Sequence, residues 1–151
     1  MNPATEIVGR AGRAVAAAQA GDLGEFSDAS AELAVLDTER VGIVQAAVIR
    51  ALLEELHPTG LTGDHIRDVL ERCVRASAGW YPEFDVNLLI AIYTGALGMS
   101  DPAAAASTAG MMSTHASIVI ADLLTAAGTG SSRYLNAAIA EIERGETVEL
   151  P

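Results

Sequence analysis

Apolar residues recur three and four positions apart along most of the chain, the spacing of a helix that buries one face. Ile7, Val8, Ala11, Val15 and Ala18 form the first such stripe, opened by Asn2-Pro3 and stopped at Gly21. Phe26, Ala29, Leu33 and Leu36 form the second, behind a cap at Asp22. A third helix starts at Asp37 or Thr38 and runs to His57, where Pro58 ends it. In the fourth, Ile66, Val69, Leu70, Cys73, Val74 and Ser77 share a face, with Thr62 as cap and Leu61 spaced to pack on Ile66. Its opposite face pairs Asp68 with Arg72 and Glu71 with Arg75 at i,i+4, a solvated surface.

After the loop WYPEFD, a fifth helix is capped by Asp85 and closed by Gly98. Asp101-Pro102 opens a sixth, which continues to about Ala127. Ser131 or Ser132 opens a seventh, with Leu135, Ala138, Ile139 and Ile142 pointing inward. Gly145 is expected to end it, leaving residues 145–151 as a short tail. The pattern predicts an all-α fold for residues 1–151, a single domain. Its form is a compact bundle of six to seven helices with short connections. The third, fifth and sixth helices, apolar almost all round, are expected at its centre.

Charge is nearly missing from this centre. From Val86 to Ser132 the only charged residues are Asp101 and Asp122, and VGIVQAAVIRALL in the third helix holds Arg50 alone. Arg50 has to reach an acid or snorkel to water. A membrane hairpin does not follow, because the fifth helix is shorter than the ~20 apolar residues a span requires. The sixth is mostly Ala, Ser and Thr over its first two-thirds and lacks flanking arginines. Three helices with so little polar surface exceed what one domain shelters, which predicts a homodimer.

At 100° per residue the sixth helix has two faces. Met111, Met112, Ile118, Val119 and Leu123 lie in one arc; Ala106, Gly110, Ser113, Ser117 and Ala121 lie opposite, with Leu124 intruding. The small face permits close backbone approach. Gly110 and Ser117 are therefore candidates for contact between copies, the alternative being packing within one chain.

Composition narrows the partners. The net charge is −11, with 20 acids against 9 bases, all nine of them Arg. Nucleic-acid binding needs clustered positive charge, and Arg67, Arg72 and Arg75 are interleaved with acids. No nucleic-acid or membrane partner is expected. Cys73 stands alone, so no internal disulfide forms. The opening MNPATEIVGRAGRAV has no continuous apolar run behind its arginines, and the expected compartment is the cytoplasm.

Candidate chemistry is thin. His115 falls in the arc of large residues, and Asp122, seven residues on, shares that face two turns away, ~10.5 Å along the axis. With Met111, Met112 and Tyr93 they outline an apolar pocket for a small ligand. The competing reading is a packed histidine satisfied by a carbonyl or hydroxyl. Glu54 and His57 have the i,i+3 spacing of di-iron bundles, but no second pair accompanies them. GTGSS lacks the strand and lysine of a phosphate loop, no G-x-S-x-G occurs, and Cys73 lies on an inner stripe. Trp80 and Tyr81 concentrate aromatic surface in one loop, either for recognition or to cover the bundle end.

No catalytic residue, metal site or cofactor is assigned. The expected function is a non-enzymatic helical interaction or regulatory module acting as a homodimer, with another protein as a further possible partner. A small-molecule-binding domain with its pocket near His115 is the alternative. An enzyme using His115 or a metal is the third possibility.

Overall fold

The computed structural model describes the backbone of residues 2–96 and 109–149, and the side chains of all of these except 109, 110 and 146–149. Within them lie seven helices and no strand. They are α1 (Pro3–Ala20), α2 (Leu23–Ala34), α3 (Thr38–Leu56), α4 (Gly63–Ser77), α5 (Val86–Ala96), α6 (Ala109–Ala127) and α7 (Ser132–Glu149). The expected stop at Gly98 and opening at Asp101-Pro102 lie outside the described residues.

Side-chain caps set the helix starts. Asn2, Asp22 and Asp37 each accept from backbone N–H groups of the turn they precede, at 2.8 to 3.3 Å. Thr62 accepts from the His65 N–H while the His65 ring accepts from the Thr62 N–H, both at 3.2 Å. This is a capping box with histidine where Glu or Gln is usual. Gly21 closes α1 at φ 66°, its N–H and that of Asp22 returning to the Ala18 and Ala17 carbonyls. A Cβ on Gly21 would also stand 3.7 Å from the Trp80 ring.

The core is organised around α6, which packs against all of α1 to α5. Every residue from 115 to 121 is buried, as are Leu123 and Leu124. The small side chains of α6 let its neighbours come close on all sides. Ser117 is enclosed within the chain against α3, in the second of the two settings anticipated for the small face. The inner residues of α1 and α2 are buried as their spacing predicts, including Ile7, Ala11, Val15, Phe26, Ala29 and Leu33.

α3 and α5 reach the surface instead of filling the centre all round. Each buries one stripe, such as Val44, Val48 and Leu52 on α3 and Leu89, Ile92 and Tyr93 on α5. Outside those stripes Ile43 is 48%, Val86 45% and Ile90 44% exposed. Arg50 is exposed, so its charge reaches water. Its Nε donates to the Ala96 carbonyl at 3.2 Å, capping the last described turn of α5.

Two expectations are corrected. α7 does not stop at Gly145 but runs to Glu149, so no tail begins there. Gly145 lacks the positive φ of a helix-ending glycine, and continuing the helix preserves i→i−4 bonds at the cost of only about 1 kcal/mol relative to Ala. The predicted Asp68–Arg72 pair is also replaced: Arg72 turns inward to Asp122 on α6. Among the described residues no helix is long and apolar enough to cross a membrane.

Because Leu123 is wholly buried where α6 meets its neighbours, Leu123→Ala should destabilise the chain by about 3 kcal/mol without changing its helicity. Urea unfolding followed by circular dichroism measures this, and a loss below about 1 kcal/mol would contradict the central position of α6.

Candidate functional site

The polar residues of α6 are the groups on which chemistry could rest, and each points to a different neighbour. His115 is completely buried. Its Nε2 accepts from the Asp85 N–H at 3.0 Å, so Nδ1 is the nitrogen that carries the proton, and it donates to the Met111 carbonyl at 2.9 Å. Tyr81 and Phe84 pack their rings on the imidazole, each with centroids 5.7 Å away. His115 thus ties α6 to the start of α5, where Asp85 also accepts from the Asn87 N–H at 2.9 Å.

Ser117 faces the other way. Its hydroxyl donates to the Ser113 carbonyl and accepts from the Gln45 amide of α3 at 3.4 Å, while the same amide donates to the Ser113 carbonyl at 3.1 Å. Gln45 is 3% exposed and is the residue of the apolar third helix whose polarity could have marked this contact.

Asp122 belongs to α4's side. Arg72 donates to it through Nε at 3.1 Å and Nη2 at 3.0 Å, a near-bidentate pair. The carboxylate side chain is 8% exposed and the guanidinium 41%. Burial works against the charge of Arg72, and the hydrogen bonds and charge of Asp122 overcome it, so its pKa stands above the usual arginine value. Cys73 lies in the same neighbourhood; burial first, then the Asp122 charge, pushes its thiol up to about 12. Tyr93 is buried too, and burial followed by Cys73 and Asp122 pushes its phenol well above the ordinary range. Its hydroxyl has no hydrogen-bond partner among the described residues.

His115, Tyr93, Met111, Met112 and Asp122 are therefore not gathered around one cavity. Met111 is 48% exposed, Met112 packs partly against the core, and Tyr93 lies with Cys73 and Asp122. Trp80 and Tyr81 fold back onto Phe26, edge to face at 5.2 and 5.5 Å, and cover that end of the bundle. The surroundings of Gly110 lie outside the described side chains. Glu54 is exposed, and His57 stacks on His65 with centroids 4.6 Å apart. Among the described residues no three His, Cys, Asp or Glu side chains approach closely enough to hold a metal ion.

Two clefts open on the surface. One, of about 340 Å³, lies among the end of α1, the end of α4 and α6, with Gln19, Ser77, Trp80, Asp122 and Thr125 in its wall. The other, of about 300 Å³, lies among α2, the 81–83 loop and α6, with Phe26, Ser30, Tyr81 and Thr114 in its wall. His115, Met111, Met112 and Tyr93 line neither of them. Ser77 was placed on the inner face of its helix by spacing alone, while Gln19 and Thr125 had no pattern to single them out, each being an ordinary polar residue on its own helix. The chain matches no protein-family model, and no curated protein or solved structure is significantly similar to it.

His115→Phe keeps a ring between Tyr81 and Phe84 but strands the Asp85 N–H and removes the second bond to the Met111 carbonyl. It should cost about 2 kcal/mol in a denaturant titration, and an unchanged stability would show that these bonds do not matter. Cys73, with its thiol held protonated, should resist alkylation by iodoacetamide at neutral pH until the chain is unfolded. Mass spectrometry of native and urea-treated samples separates the two states, and rapid native labelling would contradict the burial.

Proposed function

We propose that this chain is a non-enzymatic interaction or regulatory module that acts in the cytoplasm as a homodimer, with the outer face of α5 at the interface. The observation that carries this reading is the pair Val86 and Ile90. They stand one turn apart on α5, each nearly half exposed, on a helix without a single charged residue. Exposed apolar side chains that follow one helical stripe mark contact surfaces more often than scattered ones do. Ile43, on the neighbouring α3, adds to the apolar surface of the same pair of helices.

The acidic composition favours this face over others. Two copies of net charge −11 repel wherever their acids meet, and the repulsion is least across a helix with none. The internal engagement of His115, Ser117 and Asp122 supports the same reading, because these side chains serve packing between helices of one chain. Ser117 is enclosed within one chain, and the proposed contact between copies lies on α5.

Size-exclusion chromatography with light scattering tests the proposal. The wild-type chain should have the mass of a dimer at micromolar concentration. Ile90→Glu, at an exposed position, should keep the helical circular dichroism and weaken the dimer by at least roughly tenfold. A wild-type monomer, or a charged variant that dimerises as before, would refute it.

A further inference from the structure

We infer that the cleft among α1, α4 and α6 is a binding site for a small primary ammonium with an apolar body. The cleft's volume of about 340 Å³ falls in the range of small-ligand sites, which begins at roughly 300 Å³. Asp122 is the one charged residue in its wall among the described residues, and no arginine lines it. An anion would therefore meet the Asp122 carboxylate first, since its Arg72 partner is not part of the wall.

The geometry of Asp122 leaves room for a second donor. A carboxylate offers about four acceptor positions. Arg72 directs its short bonds to Oδ2, at 3.1 and 3.0 Å, and reaches Oδ1 only at 3.3 Å. Oδ1 thus keeps acceptor capacity in a side chain that is more than nine-tenths buried yet lines the cleft. A ligand ammonium on Oδ1 is closer to the carboxylate than to the guanidinium beyond it. The surrounding charge of −11 further favours a cation over a neutral donor.

The remaining wall sets the rest of the ligand. Ala18, Ala76, Ile118 and Ala121 provide apolar surface, and Trp80 provides an indole, the ring best suited to attract a cation. Gln19 and Thr125 stand 3.5 Å apart as polar groups of the same wall. No residue of α3 or α5 belongs to the wall as described, so the site stands or falls independently of the proposed dimer face.

Trp80 is the only tryptophan of the chain, and its emission therefore reports on one residue, which lies in the wall of this cleft. Titration with n-butylamine and with phenethylamine should change the emission saturably, in the submillimolar to low millimolar range. n-Butanol and n-butyrate, of the same body but neutral or negative, should not. Asp122→Asn should weaken the amines by at least about tenfold, the loss of a charge-assisted bond. Should that variant unfold, Ala76→Leu decides, because Ala76 is exposed on α4 and a leucine there narrows the cleft while Arg72 and Asp122 themselves stay unsubstituted. The same tenfold loss is expected in Ala76→Leu. Absence of a saturable response to either amine, an equal response to butanol or butyrate, or unaltered binding in Ala76→Leu would overturn the assignment.

Discussion

The bundle depends on the burial of the middle of α6, from His115 to Leu124, among five other helices. A stretch so enclosed offers its polar atoms little water, so each polar side chain within it must find a partner in the packing. α6 meets that demand with three residues, and the helical angle decides where each one looks. His115 and Asp122 are seven residues apart and share a side; Ser117 follows His115 by two residues, some 200° around the axis. Accordingly His115 reaches the loop before α5, Asp122 reaches α4, and Ser117 reaches Gln45 of α3 on the far side. The arrangement of the neighbours follows from this division.

Periodicity made most of the fold legible. Caps at Asn2, Asp22, Asp37 and Thr62 sit one residue ahead of the helices they open, because local hydrogen bonding and local hydrophobic spacing are both written within a turn or two. Long-range choices were not legible in this way. Arg72 has an acid four residues behind it, yet it pairs with Asp122, 50 residues away. The reason is energetic: an exposed i,i+4 pair gains little, whereas a buried carboxylate without its cation is strongly penalised. Similarly, the face shared by His115 and Asp122 was readable, but the separate partners that keep them from forming one pocket were not. Gly145 misled because glycine permits a helix stop without requiring one.

Several of the scarce arginines tie one helix to another. Arg13 of α1 bonds both Glu25 and Glu32 of α2, and Arg10 donates to the Glu32 carbonyl at 2.9 Å. At the other end, Glu55 of α3 receives the Tyr134 hydroxyl and the Arg133 guanidinium of α7. The Tyr134 hydrogen bond, with Arg133 adding to it, holds the Glu55 carboxyl below its usual pKa. These contacts are exposed and each contributes little. Their value lies in position, since they join the outer helices across seams that small apolar residues leave weakly specified.

That weakness explains why α6 retains buried polar residues at all. Before Ile118 the enclosed part of α6 is small apart from His115 and offers few interlocking side chains, so rotating or sliding it there costs less than it would among the Ile and Leu that follow. Replacing its polar residues by apolar ones of similar volume would leave the hydrophobic contribution intact and remove the angular reference. Directional bonds restore it. His115 accepts only from an N–H that lies in its ring plane, the Arg72 fork matches a carboxylate at one distance, and Gln45 must meet both the Ser113 carbonyl and the Ser117 hydroxyl. Satisfying all three at once defines a single rotation and a single height for α6. The stripes exposed on α5 and the cleft beside Asp122 are then held in fixed relation to the same axis.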